Sequence, residues 1–232
     1  MTTTITTPDA RSSTVSCDPT RSVTKTLLGY GVIAGPVYVG VVAAQASTRD
    51  GFDVSRHAAS LLSNGNLGWI QVTTFLVTGL MVMAGAVGMR RAVPSGRGRT
   101  WGPRLIGLYG VGLFAAGLFR ADPMDGFPVG TPEGTAAVSW HGGLHTVAAG
   151  VGFYSLIAAC LLFGRRFADL GQRRWAAYSV ATGVIFFAAF GALASGAIYP
   201  ATVITFWVAV GLAWIWVSAL ALHLYRHVDE AV

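Results

Sequence analysis

The chain has 232 residues, of which 53% are hydrophobic and only 11% charged, and its formal net charge is +6. Soluble domains carry about 25% charged residues, so this composition, with a mean hydropathy of +0.57, excludes an ordinary soluble protein. Hydrocarbon about 30 Å thick takes roughly 20 apolar residues per helix, and the apolar residues fall in separate runs of that order. The expected fold is therefore all-α: a polytopic membrane protein with a bundle of six transmembrane helices over 26–226.

Residues 1–25 are rich in Thr and Ser without apolar periodicity, and read as a disordered cytoplasmic tail. No apolar run precedes the segment ending at Cys17, which is therefore neither a signal peptide nor a lipid-attachment signal. Cys17 and Cys160 are the only cysteines, so a disulfide framework has no support. The first span is expected at 26–46. Gly31 and Gly35 form a small-x3-small pair that invites close helix approach, and Pro36 is expected to kink the span. In 47–66, Val54, Ala58, Leu61 and Leu62 recur at helical spacing. This predicts a short amphipathic helix at 54–63 on the outer interface, capped by Asp53 or Ser55, with Arg56, His57, Ser60 and Asn64 on its polar face. Further spans are expected at 67–89, 103–120, 140–163, 175–197 and 201–225. Pro103 stands near the start of the third span, and Ser139 is the N-cap of the fourth.

Thirteen of the sixteen Lys and Arg residues lie on the side of the termini and of the connectors around 90–104 and 165–174. Only Arg49, Arg56 and Arg120 lie on the other, so the positive-inside rule puts both termini in the cytoplasm. Trp69 and Trp140 then mark the outer interface, and Trp101 and Trp175 the inner one. Basic charge so placed serves topology and the lipid bilayer, and nucleic acid is not an expected partner.

The same topology gathers Asp50, Asp53, His57, Asp122, Asp125, Glu133, His141 and His145 at the outer face. His141 and His145, four apart, share a helix face in the first turns, where the helix dipole disfavours imidazolium. Arg56, His57, Asp122, Asp125, His141 and His145 are the candidate ligand-binding residues. Asp122, His141 and His145, with His57 as a fourth, form a candidate site for a divalent metal such as zinc, although the glutamate of HExxH is missing. The competing structural reading has these groups capping helices in an interfacial turn. Haem is not expected, because His141 and His145 share one helix. Ala148, Ala149 and Gly152 continue the histidine stripe inward, leaving room for a bound group or a packed neighbour. His223 and His227, at the other end, read as capping groups. No Asp, Glu, Lys or Arg lies at mid-membrane, where proton-coupled pumps and voltage sensors place ionisable residues.

Three pieces carry a family resemblance: SRHAASLLSNGNLGWIQ from Ser55, FRADPMDGFPVGTP from Phe119 and SWHGGLH from Ser139. They resemble the bacterial membrane family catalogued as domain of unknown function 998, over about Leu27 to Tyr225. The resemblance implies a multi-pass protein of the bacterial plasma membrane without an established activity. In architecture alone the chain is distantly similar to eukaryotic Frag1/DRAM-type membrane proteins linked to lipid handling. A second comparison is with seven-span membrane hydrolases related to alkaline ceramidase, which hold zinc with histidines and an aspartate. Here one span is missing and the histidines fall on a different side relative to the span order. The leading expectation is non-enzymatic: binding or moving a small amphipathic molecule or lipid headgroup through an outward-facing polar pocket. The alternatives are a metal-dependent hydrolase at the outer leaflet and a structural or partner-binding membrane protein. A cavity between the third and fourth spans favours the first over the last.

Overall fold

The computed structural model describes residues 19–93, 95–134, 138–197 and 199–228. It contains six α-helices: α1 (Pro19–Thr48), α2 (Gly68–Ala92), α3 (Trp101–Leu118), α4 (Trp140–Asp169), α5 (Arg173–Ala194) and α6 (Pro200–Arg226). Apart from one isolated bridge between Met124 and Phe127, the described residues form no strand pairing. Five of the helices are long and apolar enough to cross a membrane; α3, at 18 residues with Arg104 in its first turn, is not among them. The protein is thus a helical, multi-pass membrane protein, with α3 packed between α2 and α4.

Each helix packs on the next in the chain, and α6 returns to pack on α1, closing a ring. Small residues set the closeness of the seams, as they do where helices meet in lipid. A Cβ at Gly79 on α2 would stand 2.8 Å from the backbone of both Gly110 and Phe114 on α3, and one at Gly110 would stand 2.9 Å from the Gly79 carbonyl oxygen. The expected pair on α1 closes the ring: a Cβ at Gly31 would meet Ala221 and one at Gly35 would overlap Ser218, both on α6. Pro36 lies inside α1, which runs on through it as one helix.

Most polar side chains within the helices bond back to their own backbone. Thr74, Thr78, Ser155, Ser179 and Thr182 each donate to the carbonyl four residues earlier, which spares the hydroxyls from standing bare in an apolar medium. Gln45 on α1 donates to Gln71 on α2 across 2.8 Å. Trp216 is buried and donates to Ser179 on α5 at 3.0 Å, while buried Trp214 stacks on Tyr38 of α1. These two tryptophans belong to the core.

Two expectations change. α1 begins at Pro19 rather than near 26, so only 1–18 of the expected tail lie outside the described residues. The amphipathic helix over 54–63 is absent: turns cover 54–56, and a five-residue 3-10 helix spans Ala59–Ser63. The Asp53 carboxylate accepts from the Ser55 N–H and hydroxyl, fixing a local turn that competes with helix. Leu61 and Leu62 then bury themselves in the bundle, and His57 and Asn64, expected on a polar face, are buried too. The apolar period was real, but it faces the end of the bundle rather than the membrane surface.

Candidate functional site

The described residues of the connections after α1, α3 and α5 lie at one end of the ring, opposite the arginine-rich connectors. Arg56 ties the first two together. Its guanidinium donates to both Asp125 oxygens at 2.9 and 3.1 Å and also pairs closely with Glu133. Asp125 is itself placed by a backbone φ of 52°, in the left-handed region that Asp tolerates better than most residues. Its N–H donates to Gly134 and its carboxylate accepts from the Gly134 N–H.

His57 lies beneath this ion pair, 1% exposed. Its Nδ1 accepts from the Asp53 N–H at 2.9 Å, so Nε2 carries the proton and donates to the Asp125 carbonyl at 2.9 Å. The His57 carbonyl accepts from Trp207 on α6 at 3.0 Å, and the ring is flanked by Phe52 and Phe127. His57 is thus a crosspiece joining both loops to α6. While these bonds stand it has no free lone pair for a metal.

A second group forms where α4 starts. Ser139 caps α4 as expected, accepting from the Gly142 N–H at 3.1 Å. The Asp122 carboxylate clamps Ser139 twice, accepting from its N–H at 2.8 Å and its hydroxyl at 2.5 Å. A Cβ at Gly142 would overlap that carboxylate, so glycine there lets Asp122 reach the helix end. His141 Nδ1 is 3.8 Å from Asp122 Oδ1 and 3.0 Å from the Ser139 hydroxyl. His145 faces elsewhere: its Nδ1 meets the carbonyls of Ala116 and Phe119 at 3.1 and 2.8 Å, and so carries the proton. It satisfies carbonyls that the end of α3 leaves open. The six candidate residues therefore separate into Arg56–His57–Asp125, Asp122–His141 and His145. Among the described residues no group of three His, Cys, Asp or Glu side chains is arranged to hold a metal.

Asp122 and Asp125 are held in their charged form. Hydrogen bonds from Arg56 keep Asp125 below the ordinary carboxylate range. Partial burial raises Asp122, but the Ser139 bonds and nearby His141 outweigh it and leave it lowered. A carboxyl with a depressed folded pKa adds stability that is present above its unfolded value, about 3.9, and is lost as pH falls through the folded one. Melting in detergent should therefore move to lower temperature as pH drops below about 4, and Asp125→Asn should flatten that decline. A decline equally steep in Asp125→Asn would remove the Arg56–Asp125 pair from its cause.

Between these groups and the ring lie two adjoining cavities. The inner chamber, about 200 Å³, occupies the middle of the ring. Eight aromatic side chains line it, including Tyr38, Phe153, Phe206 and Trp214, together with Ala149 and Gly152 of the stripe below the histidines. The mouth, about 280 Å³, is bounded by Arg56, Asp122, Met124, Val138, Leu193 and Val203 among others. Ala58, Ser60 and Leu193 border both. The inner chamber is thus central rather than a cleft between the third and fourth helices alone, and the outer cavity lies beside the starts of α4 and α6 and the end of α5.

The family model described as a protein of unknown function, DUF998, matches residues 32–223. The chain belongs to this family. No curated protein and no solved structure matches it. The DUF998 match runs from within α1 to within α6, so it takes in every helix of the ring and both cavities. Sequence reasoning missed the chamber walls of this DUF998 protein. Phe75, Phe186, Phe190 and Phe206 read as ordinary span residues, and only their convergence from three helices makes a cavity. Glu133 and Ser139 were visible as an acidic loop residue and a cap, but not as partners of Arg56 and Asp122.

Proposed function

We propose that this protein binds a small amphipathic molecule, its apolar part in the aromatic chamber and its polar end in the mouth between Arg56 and Asp122. The observation that carries this reading is the shared border of the two cavities at Ala58, Ser60 and Leu193. A cavity of about 150 Å³ with apolar walls takes a benzene-sized guest, so the chamber has room for a hydrocarbon segment. The mouth is edged by Val138, Leu193 and Val203 as well as by charge, which suits a guest entering from the bilayer interface. We place this end at the outer face of a bacterial plasma membrane, with α3 as a sixth span and both termini cytoplasmic, because the arginine-rich connectors lie at the opposite end.

In protein with the exposed Trp69, Trp101 and Trp140 replaced by phenylalanine, lysophosphatidylcholine with a brominated acyl chain should quench the remaining tryptophan fluorescence through Trp214. Ala149→Phe, which fills the chamber from α4, should abolish that quenching without shifting the melting temperature. Quenching that survives in Ala149→Phe would locate the lipid on the outside of the bundle and overturn the proposal.

A further inference from the structure

We infer that the pocket selects lipophilic cations: an ammonium or similar head in the mouth and an apolar body in the chamber. This rests on the reading above and adds the charge of the guest, which follows from counting what faces the mouth.

Among the described residues the one cation lining the mouth is Arg56, and it is bound by two carboxylates, Asp125 and Glu133. Asp122 brings a further carboxylate to the wall, with oxygens held by Ser139. The other charged groups at this end do not redress the balance. Arg49 is turned to the carbonyls of Leu62 and Asn64, at 3.2 and 2.5 Å. Arg120 lines a separate groove with Trp69 and Leu76. His141 lies beside Asp122, and Asp53 adds one more acid on the first loop. From α5 and α6 the mouth receives only Leu193 and Val203. An anionic head would find its one guanidinium already satisfied and would stand against Asp122. A cationic head finds an excess of carboxylate.

The chamber agrees independently. Among its wall side chains there is no ionisable acid or base other than the phenols of Tyr38 and Tyr109. Its aromatic and aliphatic walls suit the apolar body of the guest and offer no anion of their own to draw the head inward. At the junction stands Ser60, whose hydroxyl has no partner among the described residues.

The test uses three guests of equal chain length, decyltrimethylammonium, decanol and decanoate. Each competes with the brominated lysolipid on the full chain in zwitterionic nanodiscs, corrected for partition into empty discs. Decyltrimethylammonium should bind about fivefold more tightly than decanol, and decanoate least tightly, as expected for the net effect of one solvent-exposed ion pair. Asp122→Asn should bring the cation down to the affinity of decanol. Raising salt on the wild type should narrow the same gap, which needs no variant to fold. If decanol competes as well as the cation, the charge inference is overturned while the pocket stands. A gap untouched by both Asp122→Asn and salt also overturns it, since the preference then arises elsewhere. If none of the three competes, the pocket reading fails with it.

Discussion

Replacing His57 with alanine should destabilise the protein by about 3–5 kcal/mol, the largest effect of any single loop substitution. The residue is 1% exposed and both ring nitrogens are engaged. Truncation leaves the Asp53 N–H and the Asp125 carbonyl without partners, each costing about 1–3 kcal/mol where water does not reach. It also opens a hole beneath Phe52 and Phe127, whose rings pack on the imidazole at 5.3 and 5.5 Å. Because the His57 carbonyl anchors Trp207, the loss should be felt in α6 as well as in the two loops. Detergent unfolding of His57→Ala beside wild type measures it. A loss below about 1 kcal/mol would mean that the crosspiece is decorative and that Arg56 alone joins the loops.

The second large effect is expected at Gly79. Valine there carries its Cβ to 2.8 Å from backbone atoms of α3, and backbone has no flexible end to move aside. The α2–α3 seam must open, at a cost of about 1–3 kcal/mol for overpacking. Since Tyr109 and Leu113 of α3 line the chamber, a shifted α3 should also weaken guest binding. Gly40 gives the contrast: nothing lies within 4 Å of a Cβ built there, so Gly40→Val should be tolerated. Equal melting temperatures for the two variants would refute the account of the seam.

The helices were legible because apolar runs of membrane length leave few alternatives, and because Ser139 and Pro200 announce helix starts. The Ser139 cap and the glycine face of α1 came through for the same reason: each is a local rule. His57 was legible as a residue of interest but not in its role. Its partners, Asp125 and Trp207, are distant in sequence, and only the fold supplies them. His141 and His145 show the limit of spacing arguments. Four residues apart on one helix, they share a face, yet one lies beside Asp122 and the other is turned to the end of α3. The chamber was the least legible feature. Each phenylalanine looks the same in sequence whether it fills a core or walls a void.

The ring closes on its first and last helices, and this has a consequence for biosynthesis. Chains emerge at about 5–20 residues per second, so α1 is made long before α6 exists. Throughout that interval Gly35 lacks the α6 surface it packs on, and the chamber, whose wall needs Phe206, Val210 and Trp214, stands open to whatever surrounds the nascent chain. Insertion of α6 is therefore both the final step of assembly and the moment the pocket comes into being. A ribosome stalled before α6 should leave an intermediate with five helices that an insertase or neighbouring lipid must shield.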